Sequence, residues 1–223
     1  MAVEHEKYIE LPGEKTMRFE NILPADIEKK SFEIITKELG NVELDPVQAP
    51  IIKRVIHTSA DFDYLKNLCF SEQVVKKLHE AIKNGASIVT DTQMAKAGIN
   101  KKELAKYGGE VYCFMSDEDV AMQARAKGST RAVASMDKAA SLTCPLIFAI
   151  GNAPTALIRL YELIQAGKLK PCGIIGVPVG FVNVVEAKEL IMQADVPYIV
   201  ARGRKGGSNV AAAICNALLY GLR

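Results

Sequence analysis

Residues 54–66, R-V-I-H-T-S-A-D-F-D-Y-L-K, set a histidine between an arginine and two aspartates. His57 is one of only three histidines in 223 residues. Arg54 precedes it by one helical turn, and Asp61 and Asp63 follow it. An imidazole between a guanidinium and two carboxylates can be poised to give or take a proton near neutral pH. Arg54 shares its helix face at i, i+3, and the T-S-A-D that follows offers hydroxyls and carboxylates able to fix a tautomer. A lone histidine near a helix end is more often structural, but this context favours chemistry. The other two are blander: His5 lies in the terminal tail, and His79 sits in K-K-L-H-E, which reads as a charged surface helix. No second histidine or cysteine lies at ligand spacing, so no metal site is expected. No G-x-S-x-G elbow exists to make His57 part of a serine hydrolase.

The segment R-G-R-K-G-G-S at 202–208 precedes an Ala-rich run, A-A-A-I-C-N-A-L. Two arginines, a lysine and a helix N-terminus would cradle a phosphate or carboxylate. A tight strand-to-helix turn with solvated basic side chains explains the same residues. The motif is neither G-x-x-x-x-G-K-[ST] nor G-x-G-x-x-G, so no nucleotide class follows. G-I-I-G-V-P-V-G-F at 173–181 reads as a buried strand entering a ligand-lining loop, or as close packing permitted by glycine. In G-N-A-P-T-A-L at 151–157, Asn152 bonds a ligand or, more simply, caps the turn.

Elements that position these residues fall into two regions. Before residue 85 the chain reads as helices: 26–39 with Ile27, Ile35 and Leu39 on one stripe, 46–57 with Val47, Ile51 and Val55, and 72–84 with Val75, Leu78 and Ile82 inward. Pro50 leaves open a later start for the second. After residue 85, short β-rich runs at 87–90, 111–114, 146–150, 173–177 and 198–201 alternate with helical stretches near 93–106, 117–142, 154–166, 184–194 and 208–221. This predicts an α/β fold: a doubly wound, mostly parallel sheet of about five strands, helices on both faces and a helical N-terminal region. One domain over 1–223 is expected. Such sheets bind ligands beyond the carboxyl ends of their strands. That rule selects the loops beginning at Asp91-Thr92, Met115-Ser116, Gly151-Asn152, residues 178–181 and residues 202–208.

Composition restricts the partners. The chain is 49% hydrophobic and 24% charged, with 28 basic and 26 acidic residues, a balance that points to neither nucleic acid nor membrane. The five cysteines are widely spaced, odd in number and lack C-x-x-C, as in a reduced cytoplasmic protein. The charged N-terminus shows no apolar signal-peptide core.

Seven ordered blocks resemble the precorrin-8X methylmutase family, the corrin-ring methylmutases of cobalamin biosynthesis. They are S-F-E-I-I at 31–35, R-V-I-H-T-S-A-D-F-D at 54–63, I-V-T-D-T-Q-M-A-K-A-G-I at 88–99, S-T-R-A-V-A-S-M at 129–136, G-N-A-P-T-A-L at 151–157, G-V-P-V-G-F-V at 176–182 and R-G-R-K-G-G-S at 202–208. Two departures stand out. Glu186-Ala187-Lys188 replaces the family's usual E-S-K, and an extra stretch precedes Ser31.

The resemblance implies an isomerase that moves a methyl group from C-11 to C-12 of the corrin periphery, giving cobyrinate or, from metal-free substrate, hydrogenobyrinate. H-T-S-A-D-F-D-Y and D-T-Q-M resemble the branch that inserts cobalt early. It implies no dissociable cofactor; any cobalt belongs to the substrate. It further implies His57 as the proton donor that renders the ring electron-poor for a 1,5-sigmatropic shift, and Ser31 and Arg54 as substrate contacts. The remaining expected contacts are Asp91, Thr92, Arg131, Asn152, Gly180, Phe181, Arg202, Gly206, Gly207 and Ser208. Arginines and helix-start N–H groups suit a substrate carrying several carboxylates. A homodimer is also implied. Two rivals remain: a non-catalytic corrin carrier with the same cavity, and a nucleotide-binding α/β enzyme.

Overall fold

The computed structural model describes residues 7–11 and 15–223, which excludes His5. The chain divides into two compact units, Met1–Glu43 and Leu44–Arg223. The first holds two antiparallel strands, β1 (Lys7–Leu11) and β2 (Lys15–Phe19), and helix α1 (Ile27–Leu39). These strands add to the expected helical N-terminal region. Five-residue strands are held by cross-strand pairing, which a helical-period search does not register. Within α1, Ile35 and Leu39 are buried while Ile27 is 51% exposed, so the expected stripe covers only its second half.

The second unit is built on a six-stranded sheet. Its strands are β3 (Leu68–Phe70), β4 (Ser87–Thr90), β5 (Val111–Tyr112), β6 (Leu146–Ile150), β7 (Gly173–Gly176) and β8 (Tyr198–Ala201), in the spatial order β3-β8-β7-β6-β4-β5. Every neighbouring pair is parallel except β3 and β8. The sixth strand, β3, comes from a stretch that the sequence read as part of the helical region. A one-turn helix, α3 (Tyr64–Asn67), precedes it. Hydrogen bonds then fasten it to both ends of β8: Arg202 N–H donates to Asn67 O, and Ser71 N–H to Tyr198 O.

Helices cover both faces: α2 (Ala49–Ser59), α4 (Val74–Lys83), α5 (Gln93–Gly98), α6 (Lys101–Ala105), α7 (Glu118–Ala126), α8 (Arg131–Ala139), α9 (Pro154–Gln165), α10 (Val184–Ile191) and α11 (Ser208–Tyr220). Two expected helices are each split. Asn100 caps α6 by accepting from Glu103 N–H, and Thr130 caps α8 by accepting from Val133 N–H. Helix α2 starts at Ala49, with Pro50 in its first turn, where a missing N–H breaks no bond. Leu146, Phe148 and Ile150 on β6 pack with Met136, Leu157 and Ile191 from α8, α9 and α10. The alternate residues Ile147 and Ala149 face the other side, where α11 packs on β6 and β7 together with α2, α4 and α5.

The chain steps from β4 outward to β5, then returns across β4 to β6 and proceeds the other way. The reversal falls between β4 and β6, and the carboxyl ends of those strands open the crevice where such sheets take ligands.

Candidate active site

Asp91 closes the base of that crevice. It follows β4, is fully buried, and its two oxygens accept from Gly151 and Asn152 N–H at 2.8 Å and from Ala153 N–H at 2.6 Å. Burial pushes its carboxyl upward, and the three backbone donors pull it back. The N–H groups ahead of α9 are therefore satisfied from within the protein. Thr92, next along, caps α5 through Ala95 N–H and meets the Ser208 hydroxyl at 2.7 Å. These contacts bring the ends of β4 and β6 to the start of α11.

The loops after β7 and β8 pack backbone against backbone. Gly207 N–H donates to Val177 O at 2.8 Å, and Gly180 N–H to Arg204 O at 3.1 Å. A side chain at Gly206 would collide with the Val177 carbonyl, and one at Gly151 would lie 2.8 Å from Gly207 O. Gly207 itself adopts φ +141°, which glycine alone takes without strain. The glycine-rich pattern thus reflects three loops pressed together around the N-terminus of α11.

The cations of the 202–208 loop have partners. Lys205 Nζ lies 2.6 Å from both Asp61 and Asp63, whose carboxylates hold its pKa above the ordinary lysine range. Arg202 pairs with Glu189 at 3.2 Å, and Arg204 stacks 5.3 Å from the Phe181 ring centroid. Of the expected positive cradle, the Lys205 charge is compensated by two carboxylates and the Arg202 charge by one. Phe181 is 81% exposed, beside exposed Val179 and Val182, which gives the loop after β7 an apolar rim.

His57 occupies the last turn of α2 and is exposed. Helices α2 and α11 run antiparallel: Pro50 and Ile51 share a cavity of about 180 Å³ with Ala217 and Gly221 at one end, while Lys205 clamps Asp61 and Asp63 at the other. Ala60, at φ +52°, turns the chain sharply after α2. His57 is thereby carried on the end of α2 nearest the 202–208 loop. Arg54, one turn earlier, lies with its guanidinium 5.2 Å from the Tyr220 ring centroid. Asp61 and Asp63, read from sequence as partners for an imidazole, have Lys205 as their structural partner.

Arg131 opens α8 and is exposed; its neighbour Thr130 meets Thr155 of α9 at 3.2 Å. Asn152 is exposed on the loop that Asp91 gathers. Ser31 lies in the first unit, where its hydroxyl donates to Ile27 O. Sequence reasoning missed Lys188. Its side chain is fully buried, and its Nζ donates to Gly203 O and Lys205 O, both at 2.8 Å. Burial lowers its pKa to about 8. A lysine on the apolar face of α10 was the available signal. His79 also differs from its surface reading: it lines the 180 Å³ cavity, and burial lowers its pKa. Among the described residues no cluster of His, Cys, Asp or Glu could hold a metal ion, and no helix is long and apolar enough to cross a membrane.

The precorrin-8X methylmutase family model matches residues 26–221. The chain belongs to the precorrin-8X methylmutase family. It is 47% identical to the cobalt-precorrin-8 methylmutase of Salmonella typhimurium over 90% of this chain and 96% of that one. It is 34% identical to the precorrin-8X methylmutase of a Sinorhizobium species over 86% and 92%. The crystal structure of precorrin-8X methylmutase from Thermus thermophilus superposes with a TM-score of 0.80 at 38% identity, covering 87% of this chain and 96% of that one. The methylmutases are isomerases, and the α/β fold with its parallel sheet is theirs. Membership gives the exposed imidazole and the loops at the carboxyl edge a reaction to be tested against.

Proposed function

We propose that this chain converts cobalt-precorrin-8 into cobyrinate, with His57 as the proton donor. The relatives named for the cobalt substrate, at up to 47% identity, support this form of the substrate over the metal-free one. The carrying observation is the position of His57: an exposed imidazole on the last turn of α2, bracketed to the 202–208 loop through Lys205 and its two carboxylates.

The imidazolium protonates the conjugated ring. The bond from C-11 to the methyl carbon breaks as the bond to C-12 forms, and the proton returns to His57. Atoms and charge balance without a co-reactant, so the protein needs only to bind, orient and protonate. Arg54, Arg131, Arg202 and Arg204 face the substrate's carboxylates, aided by backbone N–H groups at Gly206 and Ser208, while Gly207, whose N–H is held by Val177 O, shapes the turn between them. Asp91 and Thr92 hold the loops that carry these groups, and Asn152, Gly180 and Phe181 line the ring's path. Ser31 is a further proposed substrate contact. Exposed Phe181, Val182 and Met94 suit the flat tetrapyrrole faces. The chain works in the cytoplasm as a homodimer and without a dissociable cofactor.

His57→Ala decides between this reading and a corrin carrier. Turnover of cobalt-precorrin-8, followed by visible absorption, should fall by about 10²–10⁴-fold, the usual contribution of a positioned acid. Product affinity should stay near wild type. Native turnover in the variant would remove His57 from the reaction.

A further inference from the structure

Lys188 takes no part in the chemistry above, yet a fully buried lysine is expensive and needs a reason. Its side chain rises from α10 beneath the 202–208 loop, and its ammonium donates to two carbonyls of that loop, those of Gly203 and Lys205. The second of these belongs to the residue whose own ammonium grips Asp61 and Asp63. Those carboxylates sit in the turn directly after the last turn of α2, the turn that bears His57. One loop is thus held from below by Lys188 and holds the His57 helix end from its other side.

The loop has other fastenings. Gly207 N–H reaches Val177 O, and Gly180 N–H reaches Arg204 O. These tie it sideways to the loop after β7. Neither reaches α10; the exposed Arg202–Glu189 pair does, but residues 203–205 themselves are held above α10 by the two charge-assisted bonds from buried Lys188. The Lys205 pairs with Asp61 and Asp63 are partly solvent-exposed and contribute little to stability by themselves. Their effect is geometric, because they pass on the position that Lys188 imposes.

We propose that Lys188 is a positioning residue that sets the 202–208 loop, and through the Lys205 bracket the end of α2, so that substrate binding and proton donation occur in register. The proposal rests on the reading of His57 and of this loop given above. It predicts a graded pattern. Removing Lys188 disturbs both the loop and the His57 turn. Removing only the Lys205 ammonium disturbs the His57 turn and leaves the loop seated.

The test compares full-length wild type, Lys188→Met and Lys205→Met by amide hydrogen exchange and by steady-state kinetics with cobalt-precorrin-8. Lys188→Met should speed exchange by about tenfold or more at residues 202–207 and at 60–63, with β6 unchanged, the signature of local rather than global opening. Lys205→Met should speed exchange at 60–63 only. In turnover, Lys188→Met should raise KM and lower kcat together, each by about tenfold, and Lys205→Met should lower kcat with little change in KM. Equal acceleration across the whole sheet, including β6, would reduce Lys188 to a core residue and overturn the proposal. So would unchanged exchange at 202–207. Should Lys188→Met fail to fold, Lys188→Gln, which keeps two donors on a shorter arm, is read in the same way. The exchange arms decide the strut even if wild type does not rearrange the substrate, an outcome that would sink the proposed activity instead.

Discussion

Gly206→Ala isolates the contact between the loops after β7 and β8. The added methyl would drive into the Val177 carbonyl oxygen and lie 2.8 Å from both Pro178 O and Val177 C. All three are backbone atoms, so no side-chain rotation relieves the clash. The loops must separate by about 1 Å to restore a normal contact. That separation breaks the bond from Gly207 N–H to Val177 O and strains the one from Gly180 N–H to Arg204 O. One lost bond at about 1 kcal/mol, one weakened by about half as much, and overpacking of about 1–2 kcal/mol give about 3 kcal/mol. For a domain of this size that lowers Tm by about 6–12 °C. Gly203→Ala on the same loop is the control. At φ +77° it suffers backbone strain of about 1 kcal/mol, but its methyl meets nothing within 4 Å. Thermal unfolding should therefore rank wild type, Gly203→Ala and Gly206→Ala in that order, with affinity for product lost most in the last. If Gly206→Ala melts within about 2 °C of wild type, or no lower than Gly203→Ala, the two loops are not in backbone contact at Gly206.

Other outcomes follow from the same geometry. His79 is held neutral by burial beside α11, with its folded pKa below the ordinary 6.5. Below about pH 6.5 the unfolded chain takes up a proton that the folded chain resists, so stability is full above that pH and declines as pH falls through it. Urea unfolding at pH 8 and pH 5.5 should show a larger loss for wild type than for His79→Gln; equal losses would count against it. Arg54→Ala should raise KM for the tetrapyrrole more than it lowers kcat, and should cost about 0.5–1 kcal/mol of stability from the lost stack on Tyr220. Ser208→Ala removes the 2.7 Å contact with Thr92 and should destabilise the protein by about 1 kcal/mol in chemical denaturation. A gain in stability would show that the hydroxyl pair is not formed.

The sheet was legible because its strands are β-rich, buried and punctuated. Residues 87–90, 146–150 and 198–201 were expected as strands and form β4, β6 and β8 with those bounds. What escaped was held by partners instead of by periodicity. Strand β3 is three residues long and exists because β8 offers it an edge. The breaks at Asn100 and Thr130 are made by side-chain caps inside sequences with good helical pattern. The site shows the same division. Glycines and exposed polar residues gather at the carboxyl ends of the strands, and those positions were readable from the βα rhythm.

The assignment of charge was harder to read, because a cation in a motif does not disclose what neutralises it. Lys205 looked like part of an anion cradle, yet two carboxylates from a segment more than a hundred residues earlier take its charge. Asp91 looked available for substrate, yet it is fully buried and accepts three backbone donors. In both cases a charged side chain secures a loop whose backbone N–H groups and arginines remain at the edge. Securing a loop by buried or paired charges makes its geometry specific at some cost in stability. That trade suits the proposed reaction, in which one proton is delivered at a fixed place on a large, flat ring. It also makes the order of effects testable: substitutions at Asp91 or Lys188 should disturb binding and turnover together, whereas His57→Ala should separate them.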